Sequence, residues 1–151
     1  MRTLGQRRIG ETTRDHRTRL GRTILTINRT GPCTPAEVWR RYMTVSEWPS
    51  WSPQIIKVMG IDGRICAGDQ GVVVGPLGVK IPFTIVAVDE ETMRWTWRVS
   101  VGPLKIQMIH GVDPSSNGSR AWVRIMLPAP IALGYAPFAA LALHKLTRAS
   151  L

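Results

Sequence analysis

Residues 93–100 read Met-Arg-Trp-Thr-Trp-Arg-Val-Ser, an alternation of apolar and polar side chains. Successive side chains of a β-strand point to opposite faces, so this pattern predicts a strand with Trp95 and Trp97 on one face and Arg94 and Arg98 on the other. Such a strand is typical of a sheet that has one apolar face and one face in water. Another element must therefore cover the apolar face.

The chain on both sides of this segment continues the β pattern. Turn-forming Gly, Pro, Asp and Asn residues divide it into short apolar stretches. We predict seven strands, at 24–29, 55–61, 71–74, 80–88, 93–101, 105–112 and 120–127. The short gaps favour antiparallel neighbours over parallel strands joined by helices. In the strand after the two tryptophans, the alternation places Met108 and His110 on the apolar face.

A short helical region follows the first strand. Thr34 can cap a helix whose first position is Pro35, and Glu37 lies three residues after the cap, as in a capping box. The spacing predicts that this helix buries Val38, Tyr42 and Val45 and exposes Glu37, Arg40, Arg41 and Thr44. Residues 48–53 read Trp-Pro-Ser-Trp-Ser-Pro, where two prolines limit the next helix to a short turn. We expect Trp48 and Trp51 to have a structural role in that turn.

The apolar segment 131–146 is the candidate cover for the sheet. As a helix it aligns one stripe of side chains, which are Tyr135, Phe138, Ala139, Ala142 and Leu146. Pro137 is expected to kink the helix or to mark the start of its regular part. The 19 uncharged residues between Arg124 and His144 also approach the length of a membrane span. Three prolines interrupt them, so a helix packed on the sheet is favoured over a transmembrane helix or one docked on a membrane surface.

The net charge of +10 is distributed unevenly along the chain. Residues 1–30 contain eight arginines and two acidic residues, whereas residues 31–151 contain 12 basic and eight acidic residues. We therefore predict a basic, disordered leader at 1–22 and a folded domain at 23–151. The leader is a disordered tail or upstream extension, a basic arm for anionic lipid or nucleic acid, or an organelle transit peptide. It lacks the apolar stretch of a secretory signal.

The two cysteines, Cys33 and Cys66, lie 33 positions apart and belong to no CxxC motif. This spacing indicates neither a zinc site nor a thioredoxin-like redox site. Two isolated cysteines are expected to be small buried side chains in a reducing compartment, so we predict a cytoplasmic protein. The spacing leaves a disulfide between them open.

Four short motifs, taken with the order of the predicted elements, resemble a known family. They are residues 33–39 (Cys-Thr-Pro-Ala-Glu-Val-Trp), residues 48–53, Gly68-Asp69 and residues 94–97 (Arg-Trp-Thr-Trp). Over about residues 23–148 the chain is similar to the START/Bet v 1-like (SRPBCC) superfamily, which includes polyketide cyclase/dehydrase proteins. The resemblance implies an α+β helix-grip fold. In that fold a curved seven-stranded antiparallel sheet wraps a long C-terminal helix, two short helices follow the first strand, and a hydrophobic cavity lies between sheet and helix.

The last helix departs from the pattern of the superfamily, whose members include lipid carriers, plant allergens, aromatase/cyclases and quinone-binding proteins. The typical last helix is longer and more charged. Here it is rich in alanine and ends soon after Arg148. This difference leaves the size of the cavity and the oligomeric state open.

The sequence contains no Gly-rich phosphate loop, no Ser/His/Asp order and no cluster of metal ligands. Of the three histidines, only His110 falls on the apolar face of the predicted sheet. An imidazole there can act as a general acid/base or orient a ligand carbonyl; alternatively, backbone partners satisfy it. No carboxylate shares the inward phase, which disfavours a paired-carboxylate hydrolase.

These observations predict binding of a small hydrophobic ligand in the cavity, without metal or cofactor. The candidate ligand-binding residues are Trp95, Trp97, Met108, His110, Tyr135 and Phe138. His110 is the catalytic candidate if the protein is a polyketide cyclase/dehydrase-like enzyme. The alternative is a non-enzymatic lipid or quinone carrier or chaperone that docks to anionic membranes through residues 1–22. A nucleic-acid partner is disfavoured, because the charges of residues 31–151 are too evenly mixed for a basic binding face.

Overall fold

The alternating segments form one antiparallel sheet in the computed structural model, which describes residues 22–148. In chain order the strands are β1 Arg22–Gly31, β2 Lys57–Met59, β3 Gln70–Val74, β4 Lys80–Asp89, β5 Arg94–Val101, β6 Leu104–Ser115 and β7 Gly118–Pro128. The helices are α1 Pro35–Met43, α2 Trp48–Trp51 and α3 Ala129–Leu146. The strand order is β1-β7-β6-β5-β4-β3-β2, so β2 to β7 form a meander and β1 pairs with β7. This is the predicted α+β arrangement of seven strands, two short helices and a long last helix.

The register of the central strands aligns the apolar positions across the sheet. Trp95 lies opposite His110, and Trp97 lies opposite Met108. Because the pairing keeps the two-residue period in phase, the inward side chains of β5 and β6 form one continuous surface. The alternation seen in residues 93–100 therefore extends over the middle of the sheet.

The predicted strand at 55–61 is shorter in the structure, where β2 covers only Lys57–Met59. Before it, the amide of Ile55 donates to the carbonyl of Ser52 in a turn. After it, Gly60 has a φ of +88°, a left-handed conformation that glycine adopts at little cost. Turns on both sides therefore limit the length of β2, although the composition of residues 55–61 suggested a strand of seven residues.

The last helix packs against β1 and β7 on the inner face of the sheet. Its buried side chains include Ala139, Ala142, Leu143 and Leu146, and its exposed ones include Leu141, His144 and Lys145. Leu143 thus joins the predicted stripe. Pro137 lies inside a helix that already begins at Ala129. Within residues 22–148, no helix has the length and apolar character needed to cross a membrane.

The first helix shows the predicted capping box and one side chain that the prediction misplaced. Thr34 accepts from the amide of Glu37, and the Glu37 carboxylate accepts from the amide of Thr34. Arg41, expected in water, is only 6% exposed. Its Nη1 donates to the carbonyls of Lys145, Leu146 and Arg148 at 3.0, 2.7 and 2.7 Å. Since the last carbonyls of a helix lack intrahelical partners, a buried guanidinium there completes the C-terminus of α3.

The same end of α3 also fits closely against the end of β1. The amide of Cys33 donates to the carbonyl of Thr147 at 3.1 Å. A Cβ placed on Gly31 would lie 2.5 Å from that carbonyl oxygen, so only glycine permits this approach. Residues 31–33 therefore connect the first strand to the last helix.

The cysteines differ from each other in environment. Cys33 is buried, and burial raises the pKa of its thiol. Cys66 is exposed, in a turn where its amide donates to the carboxylate of Asp69, so the expectation that both cysteines are buried is wrong. Both thiols are free, so no disulfide joins Cys33 and Cys66.

The predicted leader lies outside the described residues, except for Arg22, which begins β1.

We predict that Arg41→Leu lowers the free energy of unfolding by about 2–4 kcal/mol, because three carbonyls at the end of α3, one of them fully buried, lose a charged donor. Urea unfolding followed by circular dichroism measures this loss. Arg40→Leu is the matched control: Arg40 lies on the exposed side of α1 and pairs with Glu47, so its loss should cost under about 1 kcal/mol. Equal effects of the two substitutions would contradict the assigned role of Arg41.

Candidate functional site

A cavity of about 530 Å³ lies between the inner face of the sheet and α3. Strands β3 to β7, the helix α2 and α3 from Ile131 to Leu143 contribute its walls. Half-exposed side chains border it where it reaches the surface, namely Val79, Val101, Ile131 and Phe138. Its volume falls within the range of small-molecule sites.

Among the described residues, the wall of the cavity has no side chain that is charged at neutral pH. The polar side chains that line it include Ser52, Gln54, His110 and Tyr135. The Ser52 hydroxyl donates to the Gln54 side-chain carbonyl at 3.3 Å, so these two groups partly satisfy each other. Almost all of the remaining surface is hydrocarbon, which suits a largely apolar molecule.

All six predicted ligand-binding residues line this cavity, at different depths. Trp95, Trp97, Met108 and His110 are buried side chains of the sheet. Tyr135 is half-buried on α3. Phe138, expected on the inward stripe, is 53% exposed and borders the opening. The structure thus brings the six together but moves Phe138 from the wall to the rim.

An aromatic cluster forms the inner part of the wall. The imidazole of His110 stacks on the indole of Trp95, with ring centroids 4.1 Å apart and planes 11° apart. Trp48 also stacks on Trp95, with centroids 5.7 Å apart, and lies edge-on to Trp97 at 5.5 Å. These contacts fix the orientation of the rings, because aromatic pairs prefer offset-stacked or edge-to-face geometry.

The tryptophans of α2 serve the fold and the cavity together. Trp48 Nε1 donates to the carbonyl of Tyr42 at 2.8 Å, and Trp51 Nε1 donates to the carbonyl of Arg41 at 3.3 Å. These bonds give both residues the structural role that their position predicts. Both rings also line the cavity, which the periodicity of residues 48–53 does not reveal.

Other cavity residues were absent from the predicted site. Val99, Ile106 and Val123 share the inward phase of their strands, so the alternation contained the signal for them. Gln54 and Val79 lie between regular elements, where neither a two-residue nor a 3.6-residue period places a side chain. The position of such loop residues on the cavity wall can be recognised only from the tertiary structure.

His110 is neutral over the ordinary pH range. Burial lowers the pKa of its imidazole to about 3, against a smaller opposing effect from the backbone of Trp95. A neutral imidazole can donate from one ring nitrogen and accept at the other. His110 Nδ1 and the Nε1 atoms of Trp95 and Trp97 find no hydrogen-bond partner among the described protein groups. These three atoms lie inside the aromatic cluster with almost no accessible surface, so they are unpaired buried polar groups of the wall.

The two tyrosines near the cavity are also uncharged. Burial raises the pKa of Tyr135 to about 12, and its ring lines the cavity. Burial also raises the pKa of Tyr42, whose hydroxyl lies 3.4 Å from the carbonyl oxygen of Gly111 and 3.3 Å from that of Trp122. Tyr42 therefore supports the sheet, whereas Tyr135 lines the cavity.

No carboxylate of residues 22–148 lines the cavity. Asp113 accepts from Arg94 and from Trp122 Nε1 on the outer face of the sheet. Glu90 accepts from Trp39 Nε1 and pairs with Arg64. Among the described residues, no three His, Cys, Asp or Glu side chains meet as possible metal ligands. The cavity can therefore bind, shape and orient a molecule, with His110 as its one titratable base.

Comparison with known proteins agrees with this geometry. The family model described as polyketide cyclase/dehydrase and lipid transport matches residues 22–151. The crystal structure of Ara h 8.0201 has a TM-score of 0.60 at 17% identity, covering 85% of this chain and 100% of that one. Protein MLL2253 from Mesorhizobium loti has a TM-score of 0.67 at 14% identity, covering 85% and 100% of the two chains.

A third similar structure is that of XoxI from Bacillus cereus, with a TM-score of 0.63 at 14% identity, covering 85% of this chain and 94% of that one. No curated protein matches the sequence significantly. At these identities the solved structures show the helix-grip fold alone, as the sequence predicted.

We predict that His110 makes the fold sensitive to acid. Its pKa is about 3 in the native state and near 6.5 in the unfolded chain. Between these values the unfolded state binds a proton that the native state does not. Stability should therefore fall as the pH decreases through this window, by at most about 1.4 kcal/mol per pH unit. Urea unfolding of the parent and of His110→Phe between pH 7 and pH 4 measures the difference.

His110→Phe should show a shallower decline with acid than the parent, since carboxylates contribute equally to both. His144→Gln, at an exposed position of α3, controls for the loss of a histidine and should decline like the parent. Parallel curves for the parent and His110→Phe would contradict a buried neutral imidazole.

Proposed function

Since the chain belongs to the polyketide cyclase/dehydrase and lipid transport family, we propose that it binds a small hydrophobic molecule in the cavity between the sheet and α3. The observation that carries this proposal is the uncharged cavity of about 530 Å³. A fold that filled this space with its own side chains would gain packing energy. The unfilled volume therefore supports a role in ligand binding, since a bound ligand would supply the missing packing contacts.

The expected affinity follows from the apolar area removed from water. A ligand that buries roughly 300 Å² of apolar surface gains about 7 kcal/mol at roughly 25 cal/mol per Å², before the costs of association. That gain is below the roughly 8 kcal/mol of a micromolar dissociation constant, so micromolar affinity also needs a larger buried area or hydrogen bonds to the polar groups of the wall. Selectivity would come from the shape of the wall and from its few polar groups.

Each candidate residue has a distinct role in this proposal. Trp95, Trp97 and Met108 form the flat apolar wall, which suits a planar or polyprenyl molecule. His110 and Tyr135 supply neutral hydrogen-bonding groups for a ligand oxygen. Phe138 lies at the opening, where it would close over a bound molecule.

A cyclase or dehydrase reaction in this cavity would depend mainly on the folding of a reactive chain against the shaped wall. His110 would be its acid/base group. With a pKa of about 3, the imidazole is a weak base that is already deprotonated at neutral pH. The geometry thus supports binding more directly than turnover.

The second candidate function, a lipid or quinone carrier that docks to membranes through residues 1–22, has one structural observation in its favour. Arg22 begins β1 opposite Pro128, one residue before α3 begins. Half-exposed Ile131 in the first turn of α3 borders the opening of the cavity. The basic leader therefore joins the domain at the end where a ligand would enter.

We predict that Ala142→Phe weakens binding of N-phenyl-1-naphthylamine, a neutral fluorescent probe, by about tenfold or more, because the new ring occupies the cavity. Ala142 is buried on α3 and lines the cavity. Probe fluorescence titration gives the dissociation constant, and thermal unfolding shows whether the variant folds.

Leu141→Phe is the matched control, since Leu141 is exposed on the neighbouring position of α3. It should bind the probe as the parent does. Unchanged probe binding by a folded Ala142→Phe variant would refute the cavity as the binding site.

The arginines of the leader should contribute to membrane binding and not to ligand binding. Glutamine at all six arginines of residues 1–21 should reduce binding to phosphatidylglycerol vesicles while the affinity for the naphthylamine probe stays the same. Vesicle flotation and probe titration measure the two quantities. A variant that binds vesicles as well as the parent would remove the leader from membrane docking.

A further inference from the structure

Large apolar side chains surround the opening of the cavity and project into water. Leu77 is fully exposed, and the others are exposed by more than a third: Val79, Val101, Leu104, Ile131 and Phe138. We call these six residues the apolar rim. They come from the turn before β4, the β5–β6 hairpin and the N-terminal half of α3. Four of them border the cavity directly, and Leu104 pairs with Val101 across the hairpin.

Leu77 occupies the most exposed position of the rim on a strained backbone. It has a φ of +62° between Pro76 and Gly78, in the left-handed region that side chains other than glycine, asparagine and aspartate avoid. Its side chain contributes nothing to the core. Leucine is unfavourable here because of the left-handed backbone and because of its exposure to water. Its presence points to a contact outside the domain.

The charges around the opening have one sign. Lys57, Lys80 and Lys105 are exposed in or beside the segments that border it, and none forms an ion pair with another described residue. Residues 52–59, 74–82, 98–107 and 127–143 contain no acidic residue. The hairpin between β4 and β5 carries acidic residues at the opposite end of the sheet, Asp89, Glu90 and Glu91.

We propose that the apolar rim is a membrane-docking surface that sets the opening of the cavity against an anionic lipid bilayer. The rim side chains enter the boundary between headgroups and acyl chains, and the three lysines meet lipid phosphates. Apolar groups with cations at the same end of the sheet match a bilayer of anionic lipid more closely than a protein surface, which would offer directional partners. The orientation gives an apolar ligand a path between membrane and cavity that avoids water.

This surface is distinct from the basic leader, and its contact with membranes can be measured separately from ligand binding in the cavity. Long-range attraction by the leader and contact by the rim act at different distances, because screening limits electrostatic attraction while apolar insertion needs contact. Each lysine near an anionic surface strengthens binding by about fivefold, and burial of one leucine side chain by about tenfold or more.

The test uses the full chain and vesicles of phosphatidylcholine with or without phosphatidylserine. Leu77→Asn removes the apolar side chain and places at φ +62° a residue that tolerates this conformation, so the variant should fold at least as well as the parent. We expect about a tenfold loss of binding to phosphatidylserine vesicles by flotation. Val86→Asn, at an exposed apolar position within β4 and away from the opening, should bind like the parent.

Charge reversal tests the second half of the proposal. Lys80→Glu with Lys105→Glu should lower vesicle binding by more than tenfold, whereas Arg29→Glu, at an exposed position near the far end of β1, should change it much less. Binding of the naphthylamine probe in solution should persist in all these variants. If the parent did not bind the probe at all, that result would count against the ligand cavity and would leave the vesicle-binding result unaffected.

A label gives the orientation directly. An environment-sensitive fluorophore attached at position 77, in a chain that carries Leu77→Cys and Cys66→Ser, should shift to the blue when phosphatidylserine vesicles are added. The same fluorophore on the native exposed Cys66, in the turn between β2 and β3, should not shift. The proposal is overturned if Leu77→Asn and the double lysine variant bind vesicles like the parent, or if the label at position 77 stays in water while the protein is bound.

Discussion

The contact between Arg41 and the last turn of α3 fixes the geometry on which the rest of the structure depends. A buried guanidinium bonded to three carbonyls, together with the close approach of Gly31 to Thr147, holds the C-terminal end of α3 against β1. From this end the helix packs along the sheet through buried residues such as Leu143 and Leu146. Toward its N-terminus its larger side chains are half-exposed, and there the helix and the sheet enclose a cavity.

The volume and the polarity of that cavity follow from the size of its side chains and from burial. On the sheet side the wall includes Trp97 and the stacked pair of Trp95 and His110, whereas on the helix side it includes the small residues Ala139 and Ala142. Large rings on one side and methyl groups on the other leave apolar space of about 530 Å³. Burial keeps the imidazole neutral, so the interior is suited to uncharged molecules. The apolar rim continues this surface outward.

Much of the fold was predictable from local sequence, because alternation and capping are local effects. The capping box at Thr34, the inward phase of β5 and β6, and the long last helix all follow from the spacing of a few residues. The burial of Arg41 was not predictable, since its partners are carbonyls more than a hundred positions away. The same holds for Phe138, whose exposure depends on where the helix leaves the sheet, and for the turn residues that border the cavity.

The central claim is that apolar space remains between the sheet and α3, and xenon tests it most directly. Xenon occupies dry apolar cavities in protein crystals without needing a specific chemical partner. Xenon density is expected in contact with Trp97, Met108 and Ala142 in a pressurised crystal. Direct packing of these three side chains on one another, with no xenon between them, would contradict it.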